Sequence, residues 1–121
     1  MKKNEHLESR DRLEHILQAI TAIEAYTSGK SEEIFIKDAL LNNAVLFQFS
    51  VIGEAINHVD REILEKFDYP WYRVRSFRNL IAHEYFNVKM QAVWNIVEKD
   101  LAGLKSTIEI ILFQEFKTKS K

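Results

Sequence analysis

The sequence predicts an all-α protein, an antiparallel bundle of four to five helices, on three observations. Apolar residues return every three to four positions through several long segments, the period of a helix with one buried face. No segment alternates apolar and polar residues, and no Asn-Gly pair joins two such segments, so strands and hairpins have no signature. Three glycines and one proline in 121 residues are too few for a turn-rich β fold, but they suffice for the short connections of a bundle.

The first helix is read from Leu13, Ile16, Leu17, Ile20 and Ile23, with charged residues opposite, and it should end near TSGK, where Gly29 can supply the left-handed cap. Ser31, followed by Glu32 and Glu33, has the form of a new N-cap with acids in the first turn, and a short helix should follow. A long helix from about Ala39 to Val59 is apolar almost all round. Its flanks must be covered, or it lines a subunit interface. DREILEKFDY is a polar connection with room for one helical turn, and Pro70 fits the first position of the helix that follows. One last helix, Ala92 to about Phe116, is expected from Val93, Ile96, Val97, Leu101, Leu104, Ile108 and Ile111, with a frayed KTKSK tail.

At this length one domain, residues 1–121, is expected. It is long enough to bury a core and short enough to gain from pairing as a homodimer. Lys and Arg number 17 against 18 Asp and Glu, so overall charge names no partner. Its distribution says more: Tyr69 to His83 holds Arg73, Arg75 and Arg78 and no acid, which suits an anionic ligand or, more plainly, a solvated helix face. The absence of cysteine excludes disulfides, thiolate nucleophiles and cysteine-based zinc sites, and it fits a reducing compartment. MKKNEHLESRDR lacks the apolar core of a signal peptide, and AVLFQFSVI at 44–52 is too short to cross a bilayer, so a soluble, cytoplasmic chain without a membrane partner is expected.

RNLIAHEY, residues 78–85, gathers an Arg, an Asn, a His and a Tyr on the helix that starts at Pro70. At roughly 100° per residue, Val74, Phe77 and Ile81 form its core face, whereas Arg75, Asn79 and Ala82 define a second face. Arg78 and His83 flank that second face, about 140° apart on an ideal helix. One straight helix cannot bring them into contact, yet both could lean over a ligand above the small Ala82, and two copies about a two-fold axis would surround one cleft. A guanidinium matches phosphate oxygens and stabilises charge growing on phosphorus, and an imidazole moves protons near neutrality. Together they suffice for metal-free RNA cleavage, with Asn79 orienting the phosphate or the imidazole. An Arg in a surface ion pair and a His capping its helix would leave the same trace.

Other positions carry weaker signals. Glu54 interrupts the apolar helix and should pair with Arg78 or Arg75 as an orienting group. Glu54, Asn57, His58 and Arg61 share a face, but two candidate ligands make a poor metal site, and a solvated or hydrogen-bonded patch is the expected role. His6 and His15 read as surface residues. Trp71, Tyr72 and Phe86 flank the basic segment, where packing is the first expectation and base stacking the second.

Arg78, His83 and Tyr85 match an R-x4-H-x-Y signature, and FSVIGEAI (49–56), YPW (69–71), RNLIAHEYF (78–86) and VWNIVEKDL (93–101) accompany it in order. In these motifs the chain resembles the HepT-like toxins within the HEPN superfamily of helical ribonucleases. The resemblance implies a homodimeric toxin of a type II toxin-antitoxin system, an endoribonuclease acting on RNA, tRNA in particular. Arg78 and His83 would cut without metal or other cofactor at a cleft shared by two subunits, and Asn79 fits the family's preference for a polar residue after the Arg, while support from Glu54 and Arg75 is expected from the residues themselves. It also implies a nucleotidyltransferase antitoxin of the MntA type that moves AMP from ATP onto Tyr85, blocking the groove and repelling RNA phosphates. The rival is a helical dimer that binds nucleotides or RNA, or presents Tyr85 to the transferase, and cuts nothing.

Overall fold

Leu13, Ile16, Ile20 and Ile23 are wholly buried, as their spacing requires, on the first and longest helix of a computed structural model that describes residues 3–117. This helix, α1, runs Lys3–Thr27 and is followed by α2 (Glu32–Lys37), α3 (Ala39–Ile56), α4 (Arg61–Glu65) and α5 (Trp71–His83). A 3-10 turn at Tyr85–Asn87, then α6 (Met90–Lys99) and α7 (Leu101–Phe116), complete the chain, and no strand occurs among the described residues. Five helices have ten residues or more, and α2 and α4 are short connectors, so the expected all-α bundle is what forms. The expected fraying of the tail past Lys117 lies outside the described residues.

The caps follow the sequence. Gly29 takes φ 72° just after α1, and the Ser31 hydroxyl accepts from the Ile34 N–H to open α2. Asp38 caps α3 by accepting from Leu41 N–H, and Asp60 caps α4 by accepting from Glu62 N–H. Pro70 stands one place before α5 rather than inside it, a difference within the usual fuzziness of helix ends.

α3 sits between α1 and α5 and buries Val45, Leu46, Phe49, Ile52 and Ile56. By length and composition it could cross a membrane, at 18 residues and mean hydropathy 1.4, which the nine-residue apolar run alone did not suggest. Here it packs as a core helix, with a third side left open: Leu40 is 84% exposed and Phe47 65%. The last segment is two helices rather than one, because its halves face different neighbours. α6 packs on α2 through Val93 and Trp94, whereas α7 packs on α1, and the chain bends between them at Asp100. A continuous apolar period does not register such a change of partner.

Side-chain hydrogen bonds fix the short pieces. Ser9, buried on α1, accepts from the Asp60 N–H at 2.9 Å, and Trp71 Nε1 donates to the Leu64 carbonyl at 3.0 Å, holding α4 between α1 and α5. Asn42, buried at the start of α3, donates to the carbonyls of Phe35 and Ile36 at 3.2 and 3.3 Å, satisfying acceptors at the end of α2. Replacing Asn42 by Leu strands both carbonyls in an apolar setting. Urea denaturation should show a loss of about 1–3 kcal/mol, and an unchanged midpoint would refute this role.

Candidate functional site

α3 and α5 cross at a point where α3 carries no side chain. A Cβ on Gly53 would overlap the Cβ of Arg78, lie 2.7 Å from its Cγ and 3.3 Å from the Val74 carbonyl oxygen. The stem of Arg78 therefore rests on the α3 backbone, which brings its head group to the next residue of that helix. Arg78 Nη2 lies 2.9 Å from Glu54 Oε2, and Nη1 donates to Asn79 Oδ1 at 3.3 Å. Of the two partners expected for Glu54, Arg78 is the one it meets. Arg75 is half-buried and makes no hydrogen bond or ion pair among the described residues.

The other Glu54 oxygen, Oε1, lies 3.3 Å from His58 Nε2, and His58 Nδ1 is 4.0 Å from Glu8 Oε1. The imidazole thus stands between two carboxylates in a hydrogen-bonded patch, and no group of three or more potential ligands is placed to hold a metal among the described residues. The hydrogen bond from His58 and the positive charge of Arg78 together hold the Glu54 carboxyl below the ordinary range of a glutamate. Glu54 stays ionised, and Arg78 stays oriented. A guanidinium has five N–H groups, so these two contacts leave donors for a phosphate.

Beside the pair opens a depression of about 590 Å³ between α1, α3 and α5. Arg78 and Ala82 form its α5 wall and Arg12 and His15 its α1 wall, over a floor that includes Ala19, Ala22 and Ala55. Ala82 keeps the opening wide, the role its small side chain suggested. His83 does not line it. The imidazole is exposed at the last residue of α5 and forms no hydrogen bond or ion pair among the described residues. One chain therefore exposes Arg78 and His83 without gathering them over one opening, as the angle between them on an ideal helix anticipates.

Several sequence expectations need correction. The octapeptide is not wholly helical: α5 stops at His83, Glu84 adopts φ −138° and ψ 45°, and Tyr85 begins the 3-10 turn. Glu84 falls where the core face would continue after Ile81, and a carboxylate cannot extend it. Tyr85 therefore projects from a turn, 39% exposed, its ring edge-on to that of Phe86, which is 97% exposed. Nor do the three arginines form one patch, because Arg73 lies under the exposed Tyr72 ring, 5.9 Å from its centroid, and borders a different cavity with Lys99 and Asp100. Trp71 belongs to the core, as the first expectation of packing had it, whereas Tyr72 and Phe86 are exposed. His6 is half-buried against Phe116, ring centroids 4.4 Å apart, whereas His15 is exposed, as expected, at the edge of the groove. No sequence signal separated Arg12 and His15 from the other polar residues of α1.

Gly53→Ala should cost about 1–3 kcal/mol in urea denaturation, as overpacking at a tight crossing does, and an unperturbed variant would show that the helices can part freely. The folded-state pKa of Glu54 is depressed, so its ion pair adds stability above the ordinary glutamate range, and that contribution disappears as pH falls through the lowered value. The stability gap between wild type and Glu54→Gln should therefore close toward acid pH, and a gap independent of pH would contradict the assignment.

A family model described as "Ribonuclease HepT-like" matches residues 16–111. A Caldanaerobacter subterraneus subsp. tengcongensis protein named "Putative RNase" is 34% identical over 107 residues, 88% of this chain and 96% of its own length. A Thermococcus cleftensis protein named "Probable ribonuclease HepT" is 31% identical over 101 residues, 83% and 92% of the two chains. A Methanocaldococcus jannaschii protein named "Gamma-glutamylcyclotransferase and putative RNase" is 36% identical over 109 residues, 89% of this chain, which spans about half (49%) of that relative. No solved structure matches at a significant level. With the family model covering most of the chain, and Arg78, Glu54 and Asn79 joined at the rim of an open groove, the chain belongs to the HepT-like ribonuclease family.

Proposed function

We propose that the protein is a metal-independent endoribonuclease whose working site is completed by a second copy of the chain. The observation that carries this reading is the Arg78 guanidinium, oriented by Glu54 at the edge of the groove with N–H groups to spare. The cut breaks the bond between phosphorus and the 5′-oxygen. The ribose 2′-oxygen attacks phosphorus while imidazole accepts its proton, and the 5′-oxygen departs with a proton from imidazolium, leaving a 2′,3′-cyclic phosphate and a 5′-hydroxyl. Arg78 meets the charge that builds on the phosphoryl oxygens. His83 is the imidazole in this scheme, supplied to the Arg78 groove by the partner subunit.

The open side of α3 supports the pairing. Leu40, Phe47 and Glu54 recur every seven residues, so the exposed apolar stripe runs along α3 toward the ion pair. A second copy covering Leu40 and Phe47 would set its own α5 close to this groove. The substrate is RNA, tRNA in particular, and the chain serves in the cytoplasm as the toxin of a type II pair. Its antitoxin is a nucleotidyltransferase that attaches AMP to Tyr85: the phenol oxygen attacks the α-phosphate of ATP and pyrophosphate leaves. The exposed turn beyond α5 gives such an enzyme access to Tyr85, next but one to His83.

Purified protein with unmodified Tyr85, verified by mass spectrometry, should cut RNA in excess EDTA. Arg78→Ala and His83→Ala should each lower the rate about 100-fold or more, and mixing the two folded variants should restore part of it, because one composite site in each mixed dimer keeps both groups. RNA bound but never cut would instead identify a binding module. Failure of the mixture despite mixed dimers would place both groups on one chain.

A further inference from the structure

α1 forms one wall of the groove that holds Arg78, and nothing in the cleavage scheme uses it. Arg12 and His15 stand one turn apart on this wall, with Gln18 beside them and Gln48 of α3 across the floor. Unlike several basic side chains of the fold, neither has an internal partner among the described residues. Arg10 is paired with Asp11 and Glu14, Lys37 with Glu33, Lys66 with Glu115 and Lys105 with Glu24. Among the described residues, Arg12 and His15 make no ion pair or hydrogen bond, and Arg12 is half-buried at the groove. Glu54, the single acid in the lining, is already engaged by Arg78 and His58, so the opening presents uncompensated positive charge.

The space suits a nucleotide. About 590 Å³ lies within the range of roughly 300–1,000 Å³ usual for sites that hold small organic groups. The floor of small alanines allows a flat base to approach, and the two glutamine amides each carry donors and an acceptor, which is what reading a base edge requires. The Gln48 amide makes one long bond, 3.4 Å to the Tyr26 hydroxyl, and keeps the rest of its capacity.

We propose that the α1 wall is a nucleotide subsite for single-stranded RNA, in which Arg12 and His15 hold the phosphate adjoining the one at Arg78, and Gln18 and Gln48 face the intervening base. This rests on the ribonuclease reading and adds to it where specificity resides. Arg12 and His15 are positioning residues here; they bind the strand and move no proton in the cut.

Two measurements test it. Binding of 2′-O-methyl RNA oligonucleotides, which cannot be cut, is followed by fluorescence anisotropy across a salt series. Arg12→Ala should weaken binding about tenfold and make the log–log salt slope shallower by about 0.7, the loss of one phosphate contact. His15→Gln should weaken binding less, and Gln18→Ala should change the ranking of oligonucleotides that differ in one base. With cleavable RNA, Arg12→Ala should raise KM while leaving kcat within about twofold, since it touches binding and not the transition state. Unchanged affinity and slope in Arg12→Ala would overturn the subsite. So would light scattering showing that Arg12→Ala or His15→Gln splits a dimer, which would make this wall a subunit contact. Weakened binding in a protein that cuts nothing would uphold the subsite and remove the nuclease, whereas cutting that ignores every α1 substitution would do the reverse.

Discussion

The missing side chain at Gly53 is the constraint from which the site is built. Helices normally stand apart by the width of the side chains between them, and at this crossing α5 comes in until the stem of Arg78 touches the α3 backbone. Everything near Arg78 follows from that approach. The residue after Gly53 is a glutamate, its carboxylate reaches the guanidinium at 2.9 Å, and the same carboxylate reaches one helical turn on to His58. A bulkier residue at 53 would push the two helices apart and leave the acid and the base of this pair each to water.

An exposed ion pair of this kind contributes little to folding, because solvent screens it and holding two long side chains costs entropy. Its value is directional. Arg78 is 29% exposed, held at both of its terminal nitrogens, and able to meet an anion without a search through rotamers. Preorganisation of this sort is how a guanidinium is made useful for charge that appears only during a reaction. The net charge of −1 conceals this arrangement, since Arg10, Lys37, Lys66 and Lys105 are paired with acids elsewhere whereas Arg12 at the groove is not, among the described residues.

The legible parts of the fold were those set by local chemistry. The α1 stripe from Leu13 to Ile23, the Gly29 and Ser31 boundary and the single turn of α4 all depend on interactions within a few residues, and all appear where the sequence puts them. The Glu54 pairing was also readable, because a lone acid in an apolar helix needs a cation and the acid-free segment Tyr69 to His83 offered Arg78 and Arg75. Less visible were the bend at Asp100, the end of α5 at His83 and the dispersal of Arg73, Arg75 and Arg78 over different surroundings. Each depends on which neighbour a helix meets, and a periodic pattern records that a face is buried without recording against what.

From the sequence alone came the helical class, the caps at Gly29 and Ser31, the R-x4-H-x-Y signature and the expectation that one helix could not bring Arg78 to His83. Those follow from period, cap chemistry and the rotation per residue, which are properties of a chain segment. The tertiary structure decided that Gly53 is the point of contact, that Glu54 rather than solvent holds Arg78, and that Arg12 and His15 face the same opening from a helix more than sixty residues away in sequence. Those are matters of packing between segments, and the cost of a void or a clash, not any local preference, is what selects among the ways three amphipathic helices can meet.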